Sequence, residues 1–280
     1  MTKRDRYPAG VPCWIDSARP QADKAVAFYS ALLGWEMTDQ MPPGSTETYF
    51  EAKVDGGLVA AIGTWDNGLP EVGWTTYIAV EDADAAAERV RAAGGRVVVE
   101  PHDVLDAGRM AMCADPEGVT FAVWQANTHI GAEVVNAAGS WNWSNLVTAD
   151  IDAAKQFYGA VFPWEFDEME IGGQRSVTIV VPEYGDYLET INPGVRAQHA
   201  EGGAPPRFTD TVAWLEPMDK GGPRWHLTFT VADADDVARR TPELGGEVLV
   251  EPFDIPWQRI AVIRDPDGAT FTAGEFKPPT

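Results

Sequence analysis

Trp74-Thr75-Thr76-Tyr77-Ile78-Ala79-Val80-Glu81-Asp82-Ala83-Asp84 returns 151 positions later as Trp225-His226-Leu227-Thr228-Phe229-Thr230-Val231-Ala232-Asp233-Ala234-Asp235. Working outward from this pair, Gly94-Gly95 returns as Gly245-Gly246, Glu100-Pro101 as Glu251-Pro252 and Arg109 as Arg259. Asp115-Pro116-Glu117-Gly118 returns as Asp265-Pro266-Asp267-Gly268, and Phe28-Tyr29 with Trp35 matches Phe157-Tyr158 with Trp164. A repeat of this length is the size of a small domain, so the chain is two tandem domains and not a solenoid of short units. The duplication also works as an internal control. A polar group kept in one copy and lost in the other is not required by the scaffold.

Each copy reads as a strand, a helix and further strands, then the same order again. In the first, strand 11–16 precedes a helix over 22–33 with Ala25, Val26, Phe28, Tyr29, Leu32 and Leu33 at helical spacing and Gly34 at its stop. Strands 47–54 and 57–63 flank the hairpin signal Asp55-Gly56-Gly57. Strand 74–80 leads to Asp82 as N-cap, a helix over 83–93 and a glycine stop at Gly94-Gly95. Strands 96–100, 108–114 and 119–125 complete the unit. The second copy gives strand 142–148, a helix over 151–161 capped by Asp150, strands 175–181, 211–216 and 225–231, a helix from Asp235 cut short by Pro242, and strands 247–251, 258–264 and 269–275. The domains are placed at 8–126 and 139–277, with the link near 127–138. Residues 192–206 are rich in Gly and Pro and read as a loop inserted in the second copy, decoration in preference to a lid.

A chain of 280 residues with 45% hydrophobic residues and eleven tryptophans can bury two ordinary cores. A net charge of −22 argues against nucleic acid and anionic membrane as partners, because both need basic surface. Two distant cysteines, Cys13 and Cys113, make no disulfide framework. No segment has the apolar length of a membrane span and the N-terminus has no apolar leader core, so the expected location is the cytoplasm.

The twice-used strand–helix–three-strand unit, the FY-x(5)-W after each first helix and the Asp-Pro-x-Gly turn before each last strand resemble the vicinal oxygen chelate superfamily. This group contains glyoxalases, bleomycin resistance proteins and extradiol dioxygenases. Cys13-Trp14-Ile15-Asp16, Ser140-Trp141-Asn142-Trp143, Phe162-Pro163-Trp164 and Gly108-Arg109 are similar to its tandem-domain actinobacterial subgroup, labelled glyoxalase-like or hydroxylase. The resemblance implies an α+β fold of two domains, each of two βαβββ units forming an incomplete barrel around a cavity.

Enzymes of that superfamily hold a divalent metal on His, Gln or Glu side chains from four strands, leaving open positions for substrate oxygens. Carried over, those positions fall in the first domain on Asp16, Thr75, Ala122 and the stretch Val59–Ala61, which is not a ligand set. In the second they fall on Asn145, His226 and Thr272, with Glu189 or Glu216 near the fourth. The expectation is that no cofactor is used. The alternative is a divalent metal in the C-terminal domain, with His226 and Glu189 as its candidate ligands. Trp14, Trp74, Trp141, Trp143 and Trp225 open the strands that line the cavity in this fold, whereas Trp35 and Trp164 are expected in the core. Arg109 and Arg259 are expected to pair with Asp115 and Asp265, and Cys113 to be a buried, inert thiol.

These readings give two functions to compare. One is a protein binding a small apolar or aromatic molecule in Trp-lined cavities without a complete metal site, through Trp14, Asp16, Trp74, Trp143, Asn145, Trp225 and His226. The other is a metal-dependent lyase or oxygenase of the glyoxalase or dioxygenase type in the C-terminal domain. Whether any reaction is catalysed stays open at this point. The expected partner is a small-molecule ligand, and the expected state a monomer with paired domains or a homodimer.

Overall fold

Cys13 and Ile15 on one face of strand β1 (Pro12–Ala18) and Trp14 beside Asp16 on the other are all buried, so the strand is covered on both sides. In the computed structural model, which describes residues 3–64, 73–171, 174–218 and 220–277, β1 lies at the middle of an eight-stranded mixed sheet. Helix α1 (Asp23–Leu33) follows, then β2 (Glu36–Asp39), β3 (Tyr49–Val54), β4 (Gly57–Gly63), β5 (Thr75–Ala79), α2 (Ala83–Ala92), β6 (Arg96–Val104), β7 (Gly108–Ala114) and β8 (Thr120–Ala126). The sheet order is β2-β3-β4-β1-β5-β8-β7-β6. β1 runs parallel to β4, β5 parallel to β8, and the two halves meet where β1 pairs antiparallel with β5.

The second domain repeats this with β9 (Trp141–Thr148), α3 (Ile151–Val161), β10 (Glu165–Ile171), β11 (Gln174–Val180), β12 (Thr211–Pro217), β13 (Arg224–Thr230), α6 (Ala234–Arg240), β14 (Glu247–Ile255), β15 (Gln258–Arg264) and β16 (Thr270–Phe276). Its sheet order is β10-β11-β12-β9-β13-β16-β15-β14. The insertion between β11 and β12 holds α4 (Tyr184–Ile191) and α5 (Val195–Glu201). The tandem α+β architecture is thus as the repeat implies.

The local signals account for most element ends. Asp82 and Asp150 accept from the N–H groups of Ala85 and Ala153 as N-caps, and Asp55 and Gly56 both take positive φ in the β3–β4 turn. Pro242 ends α6 and starts a short 3₁₀ turn. Four readings need correction. The edge strands β2 and β10 were not foreseen, because their charged sequences lack an apolar alternation. The cap of α6 is Asp233, two residues before the expected start. Residues 192–206 are not simply loop: Val195–Glu201 is helical. Arg109 pairs with Asp84 and Asp103, and Arg259 with Asp235 and Asp254, so neither reaches the turn aspartates.

Those aspartates serve the domain interface. The first helix of each domain packs between its own sheet and the second half of the other domain. Phe28, Tyr29 and Leu32 of α1 share a core with Phe229, Val237 and Phe271, and Phe157, Tyr158 and Val161 of α3 share one with Val90 and Phe121. Tyr29 donates its hydroxyl to Asp265 and Tyr158 donates to Asp115. Trp35 Nε1 reaches the Gly139 carbonyl at 2.6 Å, and Trp164 Nε1 that of Gly10 at 2.7 Å. Arg89 and Arg240 donate across the interface to the carbonyls of Val161 and Ala31. The second glycine of each Gly-Gly pair is explained here. A Cβ at Gly95 would stand 2.7 Å from Phe157 Cε2, and one at Gly246 2.9 Å from Phe28 Cε2. One feature is not duplicated: Arg19, fully buried, pairs with Asp265 at 2.8 Å and with Asp267. Its counterpart in the second copy is Thr148, which donates to Glu117 at 2.6 Å.

Candidate functional site

Because side chains alternate across a strand, each sheet has an outer face against the helices and an inner face turned away from them. Trp14 and Asp16 of β1 lie opposite Tyr77 and Thr75 of β5, and Tyr77 lies beside Ala122 of β8, all on the inner face. In the second domain Trp143 and Asn145 lie opposite Thr228 and His226. Trp74 and Trp225 stand one position before Thr75 and His226, so the pleat turns them outward. Trp74 packs with Tyr29, Trp35 and Phe229 and donates to the Tyr29 hydroxyl at 3.1 Å. Trp225 packs with Tyr158 and Trp164. The expectation that these two line a hollow is corrected: they are interface residues. Trp141 is buried in the same core as Trp74, registered against Phe229.

The four strands of the family's ligand positions do converge in the C-terminal domain. Asn145 donates to Glu216 Oε1 at 2.7 Å and accepts from the Trp214 N–H, while His226 Nε2 and Thr272 Oγ1 are 2.8 Å apart. Asn and Thr are poor ligands for a transition metal, and His226 and Glu216 are each engaged by one of them. Glu189 is used elsewhere, accepting from Gly194 and Arg196 at the α4–α5 junction. Among the described residues, the carboxylates close enough to share a cation are Asp233, Asp235 and Glu275. They already cap α6, hold Arg259 and accept from the Ala234 N–H. The residues at the family's positions therefore do not fit a chelated metal.

The two inner faces differ most in how they are filled. In the first domain Trp14, Tyr77, Met112 and Trp124 are all buried. The segment after β8 folds back so that the His129 ring stands edge-on to Trp14 at 4.6 Å and near Trp124 at 5.8 Å. Asp16 is enclosed there, 3% exposed, accepting from the Tyr77 hydroxyl at 2.6 Å. Burial pushes its carboxyl up to about 7, against the opposing pull of that hydrogen bond. Both cysteines are buried, and burial pushes the Cys113 thiol up to about 12.

In the second domain the inner face is open along β14 and at the end of β16, while Thr228 and Thr272 nearer its middle are buried. Register places Val250, Phe253 and Ile255 of β14 beside Val262, Ile260 and Gln258 of β15, in line with Thr272 and Phe276 of β16. Val250, Phe253, Ile255 and Phe276 are 42%, 43%, 38% and 65% exposed. Trp143, half-buried, meets Phe208 of the insertion at 6.1 Å, and Phe208 meets His199 at 5.2 Å. Beside them a depression of ≈ 340 Å³ is lined by His199, Pro205, Pro206, Phe208 and Thr209 among others. The insertion thus reaches the inner face and is more than decoration. Phe208, Phe253, Ile255 and Phe276 were missed from sequence. Comparing the copies for apolar side chains gained would have found two of them, since Phe253 stands where the first copy has His102, and Phe276 where it has Ala126.

Comparison with known proteins agrees with this anatomy. Residues 14–123 match the Glyoxalase/Bleomycin resistance protein/Dioxygenase superfamily, and residues 143–273 the Glyoxalase-like domain. The chain is 38% identical over 277 residues to "Putative glyoxylase CFP32" of Mycobacterium tuberculosis, covering 97% of both chains. It is 36% identical over 290 residues to "Anthracycline biosynthesis protein DnrV" of Streptomyces peucetius, covering 97% of this chain and 95% of the relative. Among solved structures it is similar in fold to the Mn(II)-bound glyoxalase from Novosphingobium aromaticivorans, with TM-score 0.60, 15% identity, and coverage of 98% of this chain and 83% of that one. The halotolerant catechol dioxygenase BphC gives TM-score 0.60 at 10% identity, with coverage of 95% and 87%. With one family model matched in each half and relatives aligned from end to end, the chain belongs to the glyoxalase/bleomycin resistance/dioxygenase superfamily as a two-domain, glyoxalase-like member.

Proposed function

We propose that the C-terminal inner face binds a small planar aromatic molecule without a metal, and that the N-terminal domain is its structural partner. The observation that carries this reading is the contrast at equivalent positions: Trp143 and Val262 are partly exposed where Trp14 and Met112 are buried, and the exposed Phe253 and Phe276 stand where the first copy has His102 and Ala126. Apolar walls with a few fixed polar groups are the usual composition of a small-molecule site. Trp143 offers a ring to stack on, and the pairs Asn145–Glu216 and His226–Thr272 offer donors and acceptors for ring substituents. One relative's name places it in anthracycline biosynthesis, and anthracyclines are flat, fused-ring molecules of this kind. The chain's charge of −22 supports the exclusion of nucleic acid, and the exchanged helices support a monomer, which sedimentation would check.

The test is calorimetric titration with planar aromatic compounds, anthracyclines included. Micromolar binding that is lost in Trp143→Ala but kept in Trp14→Phe supports the reading; no binding across the set refutes it. A second reading, a metal-dependent lyase or oxygenase, draws on His226 and Glu216 standing at two of the family's ligand positions. Metal analysis decides between them. Stoichiometric Ni, Zn, Fe or Mn in purified protein, lost in His226→Ala, would favour the second.

A further inference from the structure

Trp257 has a backbone φ of 72°, in the left-handed region that glycine adopts freely and a bulky side chain does not. With Pro256 it forms the two-residue turn between β14 and β15, where Ile255 pairs with Gln258. Strain of this kind persists where something else requires the side chain. The ring is not there to fill a core, since the residue is 36% exposed. It lies over the end of α5, where a Cβ at Gly203 would be 3.6 Å from Trp257 Cη2 and one at Gly202 3.9 Å from Cζ3. The insertion therefore meets the sheet at two separate places, Trp143 through Phe208 and Trp257 through the two glycines. Ile255 and Phe253 lead inward from Trp257 along β14.

We infer that Trp257 is a specificity-determining clamp, which selects fused-ring aromatic ligands over single rings by covering the edge remote from Trp143. This rests on the proposal that the C-terminal inner face is the ligand site. Trp143 is on β9 and Trp257 sits in the turn just before β15, with β13 and β16 between those strands. Three strand spacings amount to about 14 Å, and Trp257 lies a further five residues along the chain from Val262, the β15 residue in register with Trp143, so one benzene ring is far too small to bridge them. Only a ligand of several rings touches both tryptophans, and a single ring stacked on Trp143 never meets the clamp.

Calorimetric titration of the full chain with a neutral dihydroxyanthraquinone and with catechol tests this, since both probes present adjacent or near-adjacent oxygens but differ in ring number. Trp257→Gly relieves the left-handed strain, so its melting temperature is expected to stay within about 3 °C of the parent. It should weaken the anthraquinone by about tenfold or more, the scale of one lost aromatic stack, and change catechol by less than twofold. Trp257→Phe, which keeps a ring, should recover most of the anthraquinone affinity. If the parent binds the anthraquinone and Trp257→Gly binds it equally well, or loses both probes in parallel, the clamp is refuted while the ligand site stands. If the parent binds neither probe, the clamp falls together with the reading beneath it.

Discussion

The Tyr29 hydroxyl donates to Asp265 Oδ2 at 2.9 Å, joining the first helix of one domain to the last turn of the other, and Tyr158 repeats the bond with Asp115 at 3.0 Å. Each aspartate also accepts from backbone N–H groups of its own turn, Asp115 from Glu117 and Val119, and Asp265 from Asp267 and Ala269. One carboxylate thus shapes a hairpin and docks a foreign helix. Tyr29→Phe or Tyr158→Phe removes a buried hydrogen bond to a charged group, which typically contributes ~1.5–3 kcal/mol. Urea unfolding should show that loss as a lower midpoint with an unchanged slope.

The same exchange of helices makes the two domains one cooperative unit. Without α1, the outer face around Phe229, Val237 and Phe271 is left uncovered. The full chain is expected to melt in a single calorimetric transition, with calorimetric and van't Hoff enthalpies in agreement. Residues 1–138 and 139–280 expressed apart should bind a hydrophobic dye and aggregate. Two separate transitions in the full chain would contradict this.

Arg19 is a charge in the interface with no room for solvent. Arg19→Ala leaves Asp265 buried without its cation and should cost ~3–5 kcal/mol. The second copy solves the same position with a hydroxyl and a longer carboxylate, Thr148 and Glu117. The double change Arg19→Thr with Asp267→Glu transplants that solution, and is expected to recover part of the loss that Arg19→Thr causes alone. A double-mutant cycle in urea measures the recovery.

Asp16 gives the N-terminal domain a pH dependence of known sign. Its folded carboxyl titrates at about 7 and an unfolded aspartate near 3.9, so the folded state holds the extra proton between those values. Stability therefore falls as pH rises from about 4 to 7 and levels off above, by up to ~4 kcal/mol from this group. The groups around it are Tyr77 and Thr75, which donate hydrogen bonds to it, and Tyr49 from β3. Asp115 shifts in the same direction through burial. Asp16→Asn should remove Asp16's share of the slope and raise stability at pH 8 relative to the parent; an unchanged slope between pH 5 and 8 would sink the assignment.

Trp14 and Trp143 occupy equivalent places on the two inner faces and should respond oppositely. Trp14, 3% exposed and donating to Tyr49, is packing, and Trp14→Ala is expected to cost ~3–5 kcal/mol of stability. Trp143→Ala should leave the melting temperature nearly unchanged and weaken aromatic ligands by about tenfold or more.

Much of this architecture was legible because the repeated motifs are local. A cap, a glycine stop or an Asp-Pro turn is decided by a few neighbouring residues. The errors lie where a decision is not local. Trp74 and Trp225 were assigned to the wrong side by one residue, and a strand's period of two makes one residue the whole difference. Arg109 and Arg259 chose helix-start aspartates 24 or 25 positions away over the nearer turn aspartates, which the other domain's tyrosines had taken. β2 and β10 carry no apolar rhythm because edge strands of charged residues need none. The family's spacing put Asn145, His226 and Thr272 together but left Glu189 and Glu216 as alternatives for the fourth position, and Glu189 proved to sit at the α4–α5 junction. The openness of that face did not follow from spacing, since it depends on where the segments after β8 and β11 fold.

The reciprocal seating of α1 and α3 has a consequence for how such a protein can diverge. Two separate copies of one domain, swapping helices as equals, would carry every substitution twice, in both hollows at once. Written as a single gene product, the pair is released from that symmetry. One half is closed around Trp14 and Asp16, and the other can change its own inner face without altering that one.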